Sequence, residues 1–230
     1  MKNKFFLISL AIVISFVGAF WILSKNFKNN DSNLPANQGH STNSNNSFQM
    51  TPIDSVLLVK AHSPIKGSFN AKVTIVEFLD PECEACSATY PIVKKIVQEF
   101  TDDVKLIVRY MPFHQNSKYA ANILEGARAQ GKYWEALELL FAQQDHWANH
   151  HNPNPGLIPE ILAPLKLNMN KILSDAKNGK YDRQILEDQA DGKMSGVTRT
   201  PTFFVNGHQL QELGYEPLRE AIIAALKNAN

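Results

Sequence analysis

The chain is predicted to fold as an α/β domain in which a strand–helix–strand unit and a later hairpin share one sheet, with a block of helices inserted between them. Three observations carry this. Val73-Thr74-Ile75-Val76-Glu77-Phe78-Leu79 is a β-branched run suited to a buried strand, and Asp80-Pro81 ends it. Ile92, Val93, Ile96, Val97 and Phe100 then recur at the spacing of a helix with one apolar face. Thr202-Phe203-Phe204-Val205 leads through Asn206-Gly207, the pair favoured in type I′ turns, into His208-Gln209-Leu210.

The remaining elements follow in order. Thr101-Asp102-Asp103 breaks the first helix and residues 104–108 read as a second strand, so the opening is a βαβ unit with an expected right-handed parallel crossover. Helical periodicity then runs over residues 119–130 and 133–141. A loop, His150-His151-Asn152-Pro153-Asn154-Pro155, precedes further helical stretches over 157–165, 170–177 and 183–193. Roughly ninety residues separate the second strand from the hairpin, too many for a single crossover helix. A helical subdomain at about 112–195 accounts for them. Leu218, Ile222 and Leu226 mark the apolar face of a closing helix, with Pro217 near its first turn.

Ahead of this domain, residues 5–23 carry no charge over nineteen positions, a length that as a helix reaches about 28 Å and roughly spans a bilayer core. Residues 1–25 are therefore expected to be a transmembrane anchor or a signal peptide. Phe20-Trp21-Ile22-Leu23 prolongs the apolar run past the small residues at Val17-Gly18-Ala19 and favours the anchor. Residues 26–51, rich in Asn and Ser, are expected to form a flexible tether, leaving 52–230 as the folded domain.

Charge excludes one large class of function. The 23 Lys and Arg are matched by 22 Asp and Glu, and they are spread along the chain, so no basic stripe suggests nucleic acid. The chain has two cysteines, Cys83 and Cys86, in one Cys-x-x-Cys. A structural zinc site normally takes four ligands, and no second cysteine pair exists to supply them. As a purely structural bridge, so short a ring would remove little entropy from the unfolded chain. A pair that opens and closes is the reading left. Cys83 falls at the junction of the strand's loop with the helix, where unpaired N–H groups and the positive end of the helix dipole favour a thiolate. Cys86, one turn further in, is expected to be more buried and to react second.

Glu77-Phe-Leu-Asp-Pro-Glu-Cys83-Glu-Ala-Cys86, then Pro91 in the following helix, then Arg199-Thr200-Pro201-Thr202-Phe203-Phe204-Val205-Asn206-Gly207, resemble the DsbA-like branch of the thioredoxin superfamily over most of residues 55–230. The resemblance implies a thioredoxin fold with an inserted helical subdomain, and thiol–disulfide exchange on exported proteins. It implies that Cys83 attacks and Cys86 resolves, and that Pro201 is the cis-proline beside the disulfide. Thr200 would then lie against the sulfurs, and Glu77 would be a buried acid near Cys86. Pro91 matches the proline of the active-site helix. A DsbB-like oxidant or a DsbD-like reductant is implied as the resetting membrane partner, and the extracytoplasmic or periplasmic side of a bacterial inner membrane as the location. No cofactor is expected beyond the Cys83–Cys86 couple.

One departure from the family stands out. Glu84-Ala85 separates the cysteines where strongly oxidising relatives carry a His beside the second cysteine. Asp80, Glu82 and Glu84 are expected to raise the Cys83 pKa relative to those relatives and to make the disulfide less oxidising, with a potential between the extremes of the superfamily. Alternatives in the same class are an isomerase or a reductase. From another class comes a non-catalytic module that binds peptides or copper. His146, His150 and His151, with His114 and His208 elsewhere, invite a metal, although loop histidines beside Asn and Pro are more often plain surface residues. Trp134 and Trp147 read as core of the insert rather than a peptide groove.

Overall fold

The computed structural model describes residues 53–149 and 151–229. The expected anchor and tether lie outside the described residues, and so does His150. Among the described residues no helix is long and apolar enough to cross a membrane.

A short helix, α1 (Ser55–Leu58), and an edge strand, β1 (Ile65–Gly67), open the domain. The unit predicted from the sequence follows as β2 (Val73–Leu79), α2 (Glu84–Glu99) and β3 (Val104–Tyr110). Six helices and two 3₁₀ turns come next: α3 (Ser117–Arg128), α4 (Tyr133–Ala142), α5 (Gln144–Trp147), a turn at Pro155–Leu157, α6 (Ile158–Ile161), a turn at Ala163–Leu165, α7 (Met169–Lys177) and α8 (Asp182–Met194). The chain closes with β4 (Thr202–Val205), β5 (His208–Gln209) and α9 (Tyr215–Asn228).

The sheet runs β1-β3-β2-β4-β5, with β2 and β3 parallel and every other pair antiparallel. Both faces of β2 are covered, which is why its sequence is almost uninterrupted apolar residues rather than an alternation. Val73 and Ile75 pack with Val93, Ile96 and Val97 of α2 and with Leu218 and Ile222 of α9; Val76 and Phe78 point the other way, to Leu58, Ile107, Met111 and Phe204. Burying each such side chain contributes about 1.5–3 kcal/mol relative to leaving it exposed. The period of two places Glu77 between Ile75 and Leu79 on the face toward α2. The hairpin turns where expected: Asn206 and Gly207 both adopt positive φ, and Val205 pairs with His208 across a two-residue loop.

Two features differ from the sequence prediction. Strand β1 was not expected; its three residues, only partly shielded, carry no period, and their place is set by antiparallel pairing with Lys105, Leu106 and Ile107. Strand β3 also runs two residues longer than predicted, through Arg109. That guanidinium is wholly buried because Nε donates to Asp188 Oδ1 (2.5 Å), Nη2 to Asp191 Oδ2 (2.6 Å) and Nη1 to the Leu57 carbonyl (2.7 Å). A charge that looks like a strand end in sequence is here compensated inside the fold. The helix α8 that brings both aspartates lies close on the sheet. A Cβ at Gly192 would stand 2.9 Å from Phe78 Cε1 and 3.0 Å from Met111 Sδ, so glycine permits that approach.

The insert has its own core. Trp147 is fully buried in it with Leu124, Leu137, Leu140 and Ile158, and its indole N–H donates to the Leu140 carbonyl (2.8 Å). Trp134 is partly buried and packs against both this core and the α2 face of the sheet. Both tryptophans therefore serve packing, as their sequence context suggested.

Candidate active site

The site gathers where β2 ends, α2 begins and β4 begins. Cys83 is the N-cap residue of α2 and makes no side-chain cap, and its sulfur is within reach of the Ala85 and Cys86 N–H groups of the first turn. The backbone closes around it: Cys83 N–H donates to the Asp80 carbonyl (3.1 Å), while the Cys83 carbonyl accepts from Cys86 N–H (3.1 Å) and Ser87 N–H (3.2 Å). Gln144 of α5, itself buried, donates from Nε2 to the carbonyls of Pro81 (3.0 Å) and Cys83 (3.1 Å) and so ties the cysteine loop to the insert.

Both cysteines are free thiols. Their environments differ. Cys83 is 7 % exposed and Cys86 is fully enclosed. The Cys83 Sγ donates to the Thr200 carbonyl at 3.4 Å. Its pKa falls from the ordinary 9.0 to about 5, first because the Cys86 thiol donates to it. Burial opposes the shift, and the Thr200 hydroxyl and the N–H groups of Cys86 and Ala85 reinforce it. Cys86 moves the other way, well above the ordinary thiol range, through burial first, then its bond to Cys83 and the charge of Glu77.

The Thr200-Pro201 peptide is cis. Antiparallel pairing of Phe78 with Thr202 sets Pro201 one step beyond that pair, at the end of β2 that leads to the cysteines. Glu77 pairs with Val108 on one side and Phe203 on the other, and is 1 % exposed with no hydrogen-bond partner on Oε1. Burial alone raises its pKa to about 8. All five residues singled out in the sequence, Cys83, Cys86, Glu77, Thr200 and Pro201, thus come together in one place.

The acids around Cys83 do not stand as free charges facing the sulfur. Asp80, fully buried, accepts at Oδ1 from Glu82 N–H (2.8 Å). At Oδ2 it accepts from the N–H groups of Phe113 (2.8 Å) and His114 (3.2 Å) and from His114 Nδ1 (2.7 Å). Glu82 accepts from Asn116 N–H (2.6 Å), Asn116 Nδ2 (2.9 Å) and Ser117 Oγ (3.3 Å), capping α3 from a distant part of the chain. Both carboxylates are engaged by the loop that opens the insert.

Gln144, His114 and this second use of Asp80 and Glu82 were not legible in the sequence. Gln144 lies 61 residues from Cys83 and carries no motif. Gln144→Ala should lower stability by about 1–2 kcal/mol, because two buried carbonyls lose a donor. Thermal unfolding of the reduced protein measures it, and an unchanged Tm would mean the loop does not depend on this bond. Among the described residues no three His, Cys, Asp or Glu side chains converge as a metal would require.

Comparison with known proteins agrees with this geometry. The thioredoxin family model matches residues 60–224. BdbD from Bacillus subtilis, in an oxidised crystal structure, is 26% identical with a TM-score of 0.66, the match covering 72% of this chain and 94% of that one. Wolbachia pipientis α-DsbA1 shares the fold at 20% identity and TM-score 0.68, over 76% and 96% of the two chains. A Na(+)/H(+) antiporter NhaA of Herminiimonas arsenicoxydans is 30% identical over 147 residues, 64% of this chain. The chain spans about a quarter of the length of the curated relatives it matches, 23% in that case. On the family match over residues 60–224, this chain belongs to the thioredoxin family, and it shares its architecture with BdbD and α-DsbA1.

Proposed function

We propose that the chain catalyses dithiol–disulfide exchange in exported proteins, with Cys83 as the attacking thiol and Cys86 as the resolving one. The observation that carries this reading is the asymmetry of the pair: Cys83 keeps a small exposure and has its pKa lowered, while Cys86 is fully enclosed and has its pKa raised.

In the oxidising direction a client thiolate attacks Cys83 Sγ of the disulfide; the Cys83–Cys86 bond breaks and Cys86 leaves as a thiolate, which takes a proton from Glu77. A second client thiolate then attacks the client sulfur of the mixed disulfide, forming the client's bond and releasing Cys83 as a thiolate. In the reducing direction Cys83 attacks a client disulfide and one client thiolate leaves. Cys86 gives its proton to Glu77 and attacks Cys83 Sγ, which frees the other. A Glu77 pKa of about 8 leaves both of its forms accessible near neutral pH. Thr200 tunes the Cys83 sulfur, and Pro201, which has no N–H, leaves the neighbouring backbone free to pair with an extended client.

A Cys83 pKa of about 5 lies between the roughly 3.5 and roughly 7 that bracket strongly oxidising and reducing Cys-x-x-Cys enzymes, which supports an intermediate potential. Anchorage through residues 1–25, an extracytoplasmic location and resetting by a DsbB-like or DsbD-like membrane partner complete the reading. The antiporters' activity does not enter it, because the match leaves most of their length without a counterpart here.

The test is a trap. In the full chain, Cys86→Ala removes the resolving sulfur, so clients and the resetting partner should accumulate as adducts on Cys83 that a thiol reductant releases. A chain that collects no adduct while the same variant of Cys83 does no better would sink the exchange reading.

A further inference from the structure

Between the cysteines this chain has Glu84-Ala85, and no cation stands where strongly oxidising relatives place a histidine. A histidine nevertheless reaches the loop that leads to Cys83, through Asp80, from elsewhere in the chain. His114 lies in the loop between β3 and α3, its side chain 30 % exposed, and its Nδ1 meets Asp80 Oδ2 at 2.7 Å. Asp80 is the residue whose carbonyl also receives Cys83 N–H (3.1 Å), so the imidazole and the backbone of the cysteine hang on a single buried residue. The Phe113 and His114 N–H groups bind the same carboxylate, which fixes the loop as well as the ring.

We infer that His114 is a positioning residue for the Cys83 thiolate: clamped by Asp80, its protonated ring supplies from the insert's first loop the positive charge that the Cys-x-x-Cys dipeptide lacks. This deepens the exchange reading and rests on it.

The charges around the ring favour that form. Burial works against the imidazolium, but Asp80's hydrogen bond and charge, then the charges of Cys83 and Glu82, outweigh it and raise the His114 pKa. The next cation along α3, Lys118, is paired with Asp182 at 2.6 Å. Linkage makes the effect reciprocal: if the thiolate raises His114, the imidazolium lowers Cys83. The assistance is present while His114 is protonated and fades as pH rises through its pKa. It also vanishes from His114's side when Cys83 enters the disulfide, because the thiolate charge is gone.

His114→Asn keeps an N–H donor for Asp80 and removes the charge. In the full chain with both cysteines reduced, the ratio of Cys83 thiolate to thiol in mildly acidic solution, followed by ultraviolet absorbance, should fall about three- to tenfold. The difference should close above the imidazole range. Superimposable titrations overturn the inference, as does a difference that persists undiminished at alkaline pH, which would report packing. Should the variant not fold, NMR titration of His114 in the unmodified chain decides instead. A higher pKa in the dithiol than in the disulfide form supports the inference, and equal values overturn it. Failure of the exchange reading would look different: the unmodified chain would not turn over a disulfide substrate, whatever His114 does to the thiol.

Discussion

Serine in place of Cys83 is expected to lower turnover of a model disulfide substrate by at least about a thousandfold, because a hydroxyl supplies almost no anion at neutral pH where this thiol is largely ionised. The same cause gives a pH signature. With a pKa of about 5, Cys83 should be alkylated rapidly at pH 6 while Cys86 stays unmodified until the protein unfolds, and the rate should fall as pH drops through about 5. Mass spectrometry of the alkylated chain identifies the labelled sulfur. Stability should carry the mark too. A thiol lowered from 9.0 on folding stabilises the reduced protein fully above that value, and the contribution is lost as pH falls through about 5. The disulfide form has no such group, so the reduced form should lose stability relative to the oxidised form across this window. Equal alkylation of both cysteines at pH 6 would contradict the assignment of roles.

Glu77→Leu is expected to raise stability and to harm exchange. A carboxyl whose pKa is about 8 folded and near 4.5 unfolded costs nothing below the lower value. The cost grows as pH rises between them, because the unfolded chain releases the proton more easily. At pH 7 the difference amounts to about 2–4 kcal/mol, and the leucine also removes the unsatisfied Oε1 from the interior. The gain should therefore be small near pH 4 and largest above pH 8, which denaturant titration at several pH values measures. Against it stands the loss of the proton carrier beside Cys86, which should lengthen the life of the mixed disulfide at least about tenfold. A leucine variant that is destabilised at pH 8, or that resolves mixed disulfides at the ordinary rate, would remove Glu77 from the mechanism. Tolerating a group that weakens the fold is what a functional site does when chemistry needs it.

The parts of the fold that could be read from the sequence are those where local pattern and tertiary environment agree. The apolar run 73–79 is a central strand, the Ile92 to Phe100 periodicity faces the sheet, and Asn206-Gly207 turns the hairpin because few other pairs accept two positive φ values. Where charge interrupts the pattern the reading stopped early. Arg109 looked like the end of β3, although Asp188 and Asp191, one helical turn apart on α8, neutralise it within the core. The partners of the acids beside Cys83 lay beyond local pattern for the same reason. A carboxylate's effect depends on what it bonds, and the insert-loop donors to Asp80 and Glu82 lie more than thirty residues away.

By itself, then, the sequence determined the βαβ start, the late hairpin and the single Cys-x-x-Cys at the strand-to-helix junction, because these follow from short-range spacing and residue chemistry, while Glu77, Thr200 and Pro201 were marked only by the resemblance to a family. Only the tertiary structure decided how completely Cys86 and Glu77 are desolvated, and that Asp80 holds His114 beside the cysteine loop. Burial and charge compensation are properties of surroundings assembled from distant segments, and no local pattern encodes them.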